Sequence, residues 1–525
     1  MKRFNVTGTC FPKDHYMVDI SERVEQIAKM VERGDYFCIN AGRQYGKTTT
    51  LSLLKKRLDP RYCVFSLSFE SLSDGAFESI ERLAYMFVWL LNQEIKYKSV
   101  SHITDEIKET IQKALVSESK IIAEDEFYDF ITLLNAITER PIVLIIDEVD
   151  QAGNFPVFIK FLGLLREKFL RRGDRPTFRS VILAGVYDIK NLKLKMRPDG
   201  EHQYNNPWNI AVRFDIDLSL HADGIDGMIA EYKRDHAGDP QIDCMEPHEM
   251  AERIYSYTSG YPFLVSRLCQ ILDEKSLEWN KEGLLQAVKS LLHERNTLFD
   301  DIVKKLYEFP EMKQMFKDIL LNGRKIAFNP LEHHIQLASL FGFIVESKSR
   351  IVNISNRIFE TILYDLFVAE DELDDLSKEG SIDKNQFIKD GQIDMKRLIP
   401  RFAVHFNDIY GKKDGAFVEK MGRKLFLLYL KPIINGVGNY YVEAETRDET
   451  RTDVVIDYLG HQYVIELKIW RGDAYNARGE AQVAGYLDYF HAQTGYLVSF
   501  CFNKTKSLET KTIRIGDKTI FEAIV

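Results

Sequence analysis

The first third of the chain alternates continuous apolar runs with amphipathic segments of helical period. The apolar runs are YFCIN, YCVFSLSFE, PIVLIIDEVD and SVILAGV, and helical patterns separate them. Parallel strands that helices cover on both faces have such uninterrupted runs. The pattern therefore predicts an α/β domain of the doubly wound kind.

The pattern changes in the middle of the chain. From about Leu218 to Tyr307 it is helical, and residues 258–272 predict a turn that leads into an amphipathic helix. Residues 337–367 give a helix, a hairpin and a second helix, which is the outline of a winged-helix module. Residues 369–383 are strongly acidic and poor in aromatic side chains, as solvated linkers or mobile helices are, so we place a domain boundary near them.

A second α/β pattern begins after Arg401. It predicts two helices and four strands, the helices at 415–431 and 477–490 and the strands at 440–446, 452–458, 462–469 and 495–502. The second predicted strand carries Asp453, and the third carries Glu466 and Lys468 on the same face, because side chains alternate along a strand. A strand that only formed a core would not place these charges there.

Composition limits the class of protein. A chain of 525 residues exceeds one hydrophobic core and, at about 150 residues per domain, suggests three or four domains. No apolar run approaches the roughly 18 to 20 residues that span a bilayer, and the first residues lack the apolar segment of a signal peptide. The six cysteines are scattered without CxxC pairs, which argues against a zinc site and a disulfide framework. We therefore expect a cytoplasmic protein with no membrane partner.

The formal net charge is −9. This charge weighs against a surface that binds nucleic acid throughout. Any contact with nucleic acid would therefore be local.

The stretch YFCINAGRQYGKTTTLSLL predicts a strand, a short loop and a helix, which together form a phosphate-binding loop. Backbone N–H groups of such a loop surround a triphosphate, Lys47 reaches the β and γ phosphates, and Thr48 ligates Mg2+. A strict GxxxxGK[ST] pattern needs glycine at position 41, where this chain has Ala41, so we expect Gly42 to supply the turn. The predicted nucleotide-binding residues of the loop are Gly42, Arg43, Gln44, Tyr45, Gly46, Lys47, Thr48 and Thr49.

The run PIVLIIDEVD ends in two acids, about a hundred residues after the loop. Asp147 would hold Mg2+ through water, and Glu148 would orient or deprotonate the attacking water. A strand that ends in two acids is common by itself. Its position after a phosphate-binding loop makes the pair a specific indication of a nucleotide-binding site.

The strings GRQYGKT, LIIDEVD, VILAGVYDIKNLK and GYPFLVSRLC occur in this order, so residues 1 to about 367 resemble the AAA-like ATPases of archaeal-ATPase and STAND type. The resemblance implies ATP as ligand, a helical lid with residues 260–262 next to the nucleotide, and a winged helix. Residues 185–188 lie where related ATPases keep a polar sensor, but none of them is Asn or Thr. Because AAA-like sites borrow an arginine from a neighbour, the resemblance also implies a homo-oligomer. The candidates for this arginine are Arg166, Arg171, Arg172 and Arg179. Each of them could equally be an ordinary solvated basic residue on a helix or its following loop.

A metal-dependent nuclease needs several acids that bind divalent metal and a lysine that positions the attacking water. Asp453, Glu466 and Lys468 supply this set, and a hairpin crossing at 458–461 can bring them together. The ExK triplet alone would more often be a surface ion pair. Gln482 and Tyr486 share one face of the next helix in the string QVAGY.

With these motifs, residues 415–503 resemble a RecB-like PD-(D/E)XK nuclease domain, and the whole chain resembles ATPases that carry this domain at the C-terminus. The resemblance assigns Mg2+ or Mn2+ to Asp453, Glu466 and the Leu467 carbonyl, with Glu419 as a further carboxylate. It assigns the catalytic role to Lys468 and substrate positioning to Gln482 and Tyr486. The implied partner is nucleic acid, in particular DNA.

The sequence therefore predicts a P-loop NTPase domain with a helical lid and winged helix, followed by a PD-(D/E)XK restriction-endonuclease-like α/β domain. The expected divisions are 1–217 for the ATPase core, 218–307 for the lid, 308–368 for the winged helix, 369–400 for an acidic linker and 401–525 for the nuclease-like domain. The alternative is a nucleotide-operated switch whose C-terminal domain binds nucleic acid or protein without cleaving it.

Overall fold

The computed structural model describes residues 2–97, 100–116, 119–186, 208–320, 324–370, 386–410, 419–434, 438–445, 451–470, 473–490, 492–501 and 509–525. These residues form two compact units. The first contains Met1–Asp235, Tyr261–Arg267 and Leu340–Gly342, and the second contains His236–Gly260, Leu268–Ser339 and Phe343–Val525. In the described ranges, no helix is both long enough and apolar enough to cross a membrane.

The first unit is built on a four-stranded parallel sheet, which confirms the predicted α/β class. Its strand order is β3-β6-β5-β4. A separate parallel pair, β1 and β2, lies near the start of the chain. The strands of this part are β1 Arg3–Phe4, β2 His15–Tyr16, β3 Phe37–Asn40, β4 Cys63–Ser68, β5 Ile142–Asp147 and β6 Ser180–Gly185.

Helices pack against this sheet through apolar side chains. Phe65 and Leu144 from the strands pack in one buried cluster with Phe87, Phe127 and Phe161 from the helices. All five side chains are fully buried, so replacing any one of them with alanine would destabilise the fold by about 2 to 5 kcal/mol. The helices are α1 Ser21–Arg33, α2 Lys47–Leu58, α3 Ile80–Tyr97, α4 Asp105–Ala114, α5 Glu124–Ile137, α6 Pro156–Leu170 and α7 Ala222–Asp235.

Between residues 236 and 370, the described residues are helical apart from one antiparallel hairpin. The hairpin, β7 Ile344–Glu346 and β8 Val352–Ile354, lies between α14 and α15, which is the order predicted for a winged-helix module. The helices of this part are α8 Pro240–Asp243, α9 Pro247–Thr258, α10 Pro262–Glu274, α11 Lys281–Leu292, α12 Thr297–Glu308, α13 Pro310–Leu320, α14 His333–Leu340 and α15 Arg357–Glu370.

The C-terminal part contains a mixed six-stranded sheet of order β11-β12-β13-β14-β16-β15. Strands β11, β12 and β13 form an antiparallel meander, and α18 crosses over to bring β14 parallel to β13. The elements are β9 Ile388–Lys389, β10 Gln392–Ile393, α16 Met395–Tyr410, α17 Glu419–Ile434, β11 Gly438–Glu445, β12 Arg451–Tyr458, β13 His461–Ile469, α18 Asp473–Tyr489, β14 Thr494–Phe500, β15 Glu509–Ile515 and β16 Lys518–Ile524.

The last two strands were not predicted from the sequence. They form an antiparallel hairpin in which Ile515 pairs with Lys518 across the two residues Gly516 and Asp517. Gly516 has φ 59°, a left-handed conformation that glycine adopts without strain. A Gly-Asp pair between two alternating apolar runs is a recognised hairpin signal, and it could have located these strands.

Candidate functional site

The predicted phosphate-binding loop joins β3 to α2 at the carboxyl end of the parallel sheet. Gln44 (φ 56°) and Gly46 (φ 78°) are left-handed, and Gly46 caps α2, whose first residue is Lys47. Lys47 is only 6% exposed, and its Nζ donates hydrogen bonds to the carbonyl oxygens of Ala41 (2.8 Å) and Gly42 (3.0 Å). The loop thus holds one buried ammonium group against its own carbonyls, at the positive end of a helix.

Gly42 has a different role from the one expected. Its φ is not left-handed, so the expectation that it supplies the turn is wrong. A Cβ at this position would lie 2.4 Å from the carbonyl oxygen of Phe341, so the glycine allows two backbone segments of the first unit to approach closely. Ala41 is tolerated in place of glycine because its N–H donates to the Gly185 carbonyl in an ordinary strand contact (3.2 Å).

Tyr261, from the predicted lid turn, braces the loop. Its hydroxyl donates to the Arg43 carbonyl (2.5 Å), and its ring meets the Tyr45 ring edge-on at 4.7 Å. Gly342 packs beside both tyrosine rings. Position 261 was predicted to lie near a nucleotide, and the structure places this tyrosine against the loop itself.

Thr48 and Asp147 join the two halves of the predicted site. Thr48 Oγ1 donates to Asp147 Oδ2 at 2.9 Å, and the Glu148 N–H donates to Asp147 Oδ1 at 3.0 Å. A hydroxyl and a carboxylate are both oxygen ligands of the kind that Mg2+ prefers. The geometry therefore fits a magnesium ion that Thr48 and Asp147 would share.

Burial shifts the titration of the charged groups in this site. It lowers the pKa of Lys47, although Glu148, Asp150 and Asp147 oppose this shift. Burial also raises the pKa of the Glu148 carboxyl, against the attraction of Lys47. A half-buried carboxyl with a raised pKa suits a group that accepts a proton from water.

The sequence reasoning missed Asp150, the last acid of the DEVD string. Its Oδ2 accepts a hydrogen bond from the Val186 N–H (2.5 Å), and a Cβ on Gly185 would lie 2.9 Å from its Oδ1. Asp150 therefore fixes the end of β6 beside the turn that carries Glu148. Thr49 has a similar positioning role, because its Oγ1 accepts from the Cys10 N–H (3.0 Å).

The candidate arginines contact groups of their own chain. Arg172 donates to the Gly34 carbonyl (3.2 Å), Arg179 to the Glu32 carbonyl, and Arg166 to Asn209 Oδ1 (2.9 Å). Arg171 forms an exposed pair with Glu167. Positions 187 and 188 of the predicted sensor segment lie outside the described residues.

In the C-terminal sheet, the predicted residues Glu466, Lys468, Gln482 and Tyr486 form one connected chain of contacts. Lys468 Nζ lies 3.4 Å from Glu466 Oε1 and donates to Gln482 Oε1 at 2.5 Å. Gln482 Nε2 in turn donates to the Tyr486 hydroxyl. The Glu466 and Lys468 side chains are 5% and 14% exposed, so this is not a solvated surface pair.

The other predicted metal ligands are placed only by their backbone. Asp453 lies on β12, where its neighbour Val454 pairs with Ile465, the residue before Glu466. Glu419 is the first residue of α17, and the Leu467 side chain is fully buried in β13. The side chains of Asp453 and Glu419 lie outside the described residues. Among side chains that are described, no three of Asp, Glu, His or Cys are grouped so that they could hold a metal ion.

A second group of polar side chains lies on the same sheet. It was not predicted from the sequence, because β15 and β16 were not predicted either. Ser499 Oγ donates to Glu522 Oε1 (3.1 Å), and Lys511 Nζ lies 2.8 Å from Glu522 and 3.0 Å from Glu480. Ser499 pairs with Lys468 in the register of β13 and β14. Glu522 is fully buried, so these contacts compensate a charge that would otherwise be costly.

Comparison with known proteins concerns mainly the first two thirds of the chain. A family model described as an AAA-like domain matches residues 15–365, which is more than half of the chain. No curated protein gives a significant match.

Two solved structures from Aeropyrum pernix are similar in part. One is the ORC1 protein in complex with DNA, with 12% identity and a TM-score of 0.30 over 67% of this chain and 94% of that chain. The other is the ORC2 protein in ADPNP-ADP complexes, with 12% identity and a TM-score of 0.38 over 70% of this chain and 96% of that chain. Similarity at these TM-scores transfers no function.

Proposed function

Because the chain belongs to the AAA-like domain family, we propose that it binds and hydrolyses ATP at residues 42–49 and thereby controls metal-dependent cleavage of DNA by residues 401–525. The contact between Thr48 and Asp147 carries the first half of this proposal. The contacts of Lys468 carry the second half. The divisions at 217, 307, 368 and 400 remain part of the proposal.

At the phosphate-binding loop, each residue has a role that its environment supports. Lys47 would exchange its contacts with two loop carbonyls for the β and γ phosphates, which are stronger partners for a buried cation. Thr48 and Asp147 would hold Mg2+, which when bound neutralises charge that develops on the phosphate oxygens. Glu148, with its raised pKa, would orient the attacking water and take its proton.

In the C-terminal domain, Lys468 is the group on which cleavage would depend. Glu466 and Gln482 hold its ammonium in place, so it can position a water or stabilise negative charge without first losing side-chain freedom. Glu466 and the Leu467 carbonyl would hold Mg2+ or Mn2+, together with Asp453 and Glu419. The metal would polarise the phosphodiester and activate water.

The cleavage test uses the full chain with labelled DNA, single- and double-stranded, in Mg2+ or Mn2+. Lys468→Ala should abolish cutting while ATP binding stays intact. Lys389→Ala, which changes an exposed lysine of the same part of the chain, is the matched control and should cut like the wild type. Equal cutting by wild type and Lys468→Ala would refute the nuclease assignment.

The second candidate function is a nucleotide-operated switch whose C-terminal domain binds nucleic acid or protein without cutting. One observation favours it: the Glu466 carboxylate already has a lysine partner. Under this alternative, Mn2+ would not bind near Glu466. Paramagnetic broadening by Mn2+ that the Glu466→Gln variant abolishes would exclude it.

A further inference from the structure

A small cavity lies inside the second unit, far along the chain from the loop that carries Lys47. Its walls come from helices α9 and α11, the first residue of α15, strand β13 and the residue that follows α18. Its volume is about 30 Å³, roughly twice what one water molecule needs. The residues that matter for its chemistry are Arg253, Tyr257, Lys281, Arg357, Gln462 and Phe490.

Arg357 is the central group of this cavity. It is 6% exposed, and its guanidinium carbon lies 4.2 Å from the centre of the Tyr257 ring and 5.4 Å from that of Tyr441. Its Nε and Nη2 are buried and have no hydrogen-bond partner in the described part of the chain. A guanidinium cannot escape this cost by losing its proton.

The atoms that lack partners identify the kind of ligand. The Tyr257 and Tyr441 rings lie within cation–π distance of the guanidinium, and neither Nε nor Nη2 donates a hydrogen bond to another described residue. Nε and Nη2 lie on one edge and can donate two parallel hydrogen bonds, the arrangement that matches two oxygens of a carboxylate or phosphate. The edge is therefore suited to a bidentate oxyanion.

The other charges around the cavity also favour an anion. Lys281 Nζ donates a hydrogen bond to the neutral Phe490 carbonyl (2.7 Å). Burial lowers the pKa of Lys281, and repulsion from Arg253 lowers it further. Arg253 pairs with Glu249, whose side chain is 60% exposed. Asp457, the nearby buried acid, is already paired with Lys289 at 3.1 Å. Among the described residues that line the cavity there are thus three cations and no carboxylate.

We propose that this cavity binds one inorganic phosphate ion, held by Arg357 through Nε and Nη2 and by Lys281 and Arg253. The volume admits a small tetrahedral oxyanion and excludes a nucleotide. Gln462 Oε1 is a buried acceptor without a donor in the described residues, and hydrogenphosphate carries an O–H that can supply one. Sulfate lacks this hydrogen at neutral pH, so the site selects phosphate over sulfate.

The cavity is lined by helices of the middle of the chain and by residues next to the candidate nuclease residues. Gln462 lies on β13, the strand of Glu466, and Phe490 directly follows α18, the helix of Tyr486. Arg253, Lys281 and Arg357 come from helices of the middle of the chain. A bound phosphate would therefore link these helices to the two elements that carry the candidate nuclease residues.

The test measures thermal unfolding of the full chain during titration with phosphate at constant ionic strength. The Lys47→Ala background removes the main phosphate contact of the other site, so the result does not depend on the proposed ATPase. Phosphate at a concentration of 100 times its Kd should raise Tm by about 5 °C. Sulfate should need a concentration at least about tenfold higher for the same rise. Arg357→Gln should abolish the rise, whereas Arg350→Gln, an exposed arginine, should keep it.

An equal phosphate-induced rise in Arg357→Gln, or an equal response to chloride, would overturn the proposal. Should Arg357→Gln fail to fold, equilibrium dialysis of the wild type with labelled phosphate and a saturating non-hydrolysable ATP analogue decides the question. One phosphate per chain supports the site. No bound phosphate, or displacement by equimolar sulfate, refutes it.

Discussion

Lys47 and Lys468 are the residues on which the two halves of the proposed function depend, and both ammonium groups are mostly buried. Two neutral carbonyls hold Lys47, whereas the Gln482 amide and the Glu466 carboxylate hold Lys468. A cation in such a place gains from the arrival of a phosphate, since hydrogen bonds to charged partners are stronger than those to neutral ones. Both lysines are thus suited to phosphate chemistry.

Glu148→Gln separates ATP binding from hydrolysis. The amide cannot accept a proton from the attacking water, so turnover should fall by about 10² to 10⁴-fold while ATP affinity stays close to that of the wild type. Steady-state phosphate release and fluorescent-ATP titration measure the two effects. Glu167→Gln, an exposed acid on α6, is the control. Unchanged turnover in Glu148→Gln would remove the proposed role.

Lys168 gives a prediction of pH dependence. It is buried on α6, its Nζ donates to the Tyr128 carbonyl and Thr132 Oγ1, and burial lowers its pKa to about 8. Between that value and the ordinary 10.5, the unfolded chain binds more protons than the folded chain, so the free energy of unfolding rises with pH.

The Lys168→Met variant lacks this titration. The stability of the wild type relative to Lys168→Met should therefore increase by about 3 kcal/mol between pH 7 and pH 10.5, measured by urea denaturation at each pH. A difference that is independent of pH would show that Lys168 keeps an ordinary pKa.

At the scale of elements, the sequence located those parts whose signal is local. The runs YFCIN and PIVLIIDEVD gave β3 and β5, and the Gly-Lys-Thr string gave the start of α2. The alternation in residues 451–470 gave the hairpin β12–β13. Each of these elements depends on periodicity and turn residues within about ten positions.

Contacts between distant parts of the chain could not be predicted in this way. The hydrogen bond from Tyr261 to Arg43 and the approach of Phe341 to Gly42 join segments more than two hundred residues apart, and no local pattern encodes them. Asp150 was missed because its partner, the Val186 N–H, is recognisable only after β5 and β6 are neighbours.

Gly42→Ala tests the close approach of the Phe341 backbone to the phosphate-binding loop. The new methyl group would lie 2.4 Å from a backbone oxygen, so either the loop or residues 340–342 must move, at a cost of about 1 to 3 kcal/mol. ATP affinity should fall, as measured by isothermal titration calorimetry. Gly163→Ala is the control, because a Cβ there meets nothing within 4 Å and should leave affinity unchanged. Equal affinities for both variants and the wild type would contradict the close contact.

At the scale of the whole molecule, the two candidate sites belong to different compact units. Lys47, Thr48 and Asp147 are in the first unit, and Glu466 and Lys468 are in the second. The parallel sheet and the family assign the first unit to nucleotide chemistry. Self-association, which an arginine from a neighbouring chain would require, stays a prediction that light scattering with and without ATP can check.

The most direct test measures ATP turnover and DNA cleavage together on the wild type, Lys47→Ala and Lys468→Ala. The wild type should show both activities, and Lys47→Ala should lose ATP binding together with ATP-controlled cleavage. Lys468→Ala should lose cleavage alone and keep full ATP turnover. Cleavage by Lys468→Ala at the wild-type rate, or cleavage by Lys47→Ala that is unchanged with ATP present, would contradict an ATP-controlled nuclease.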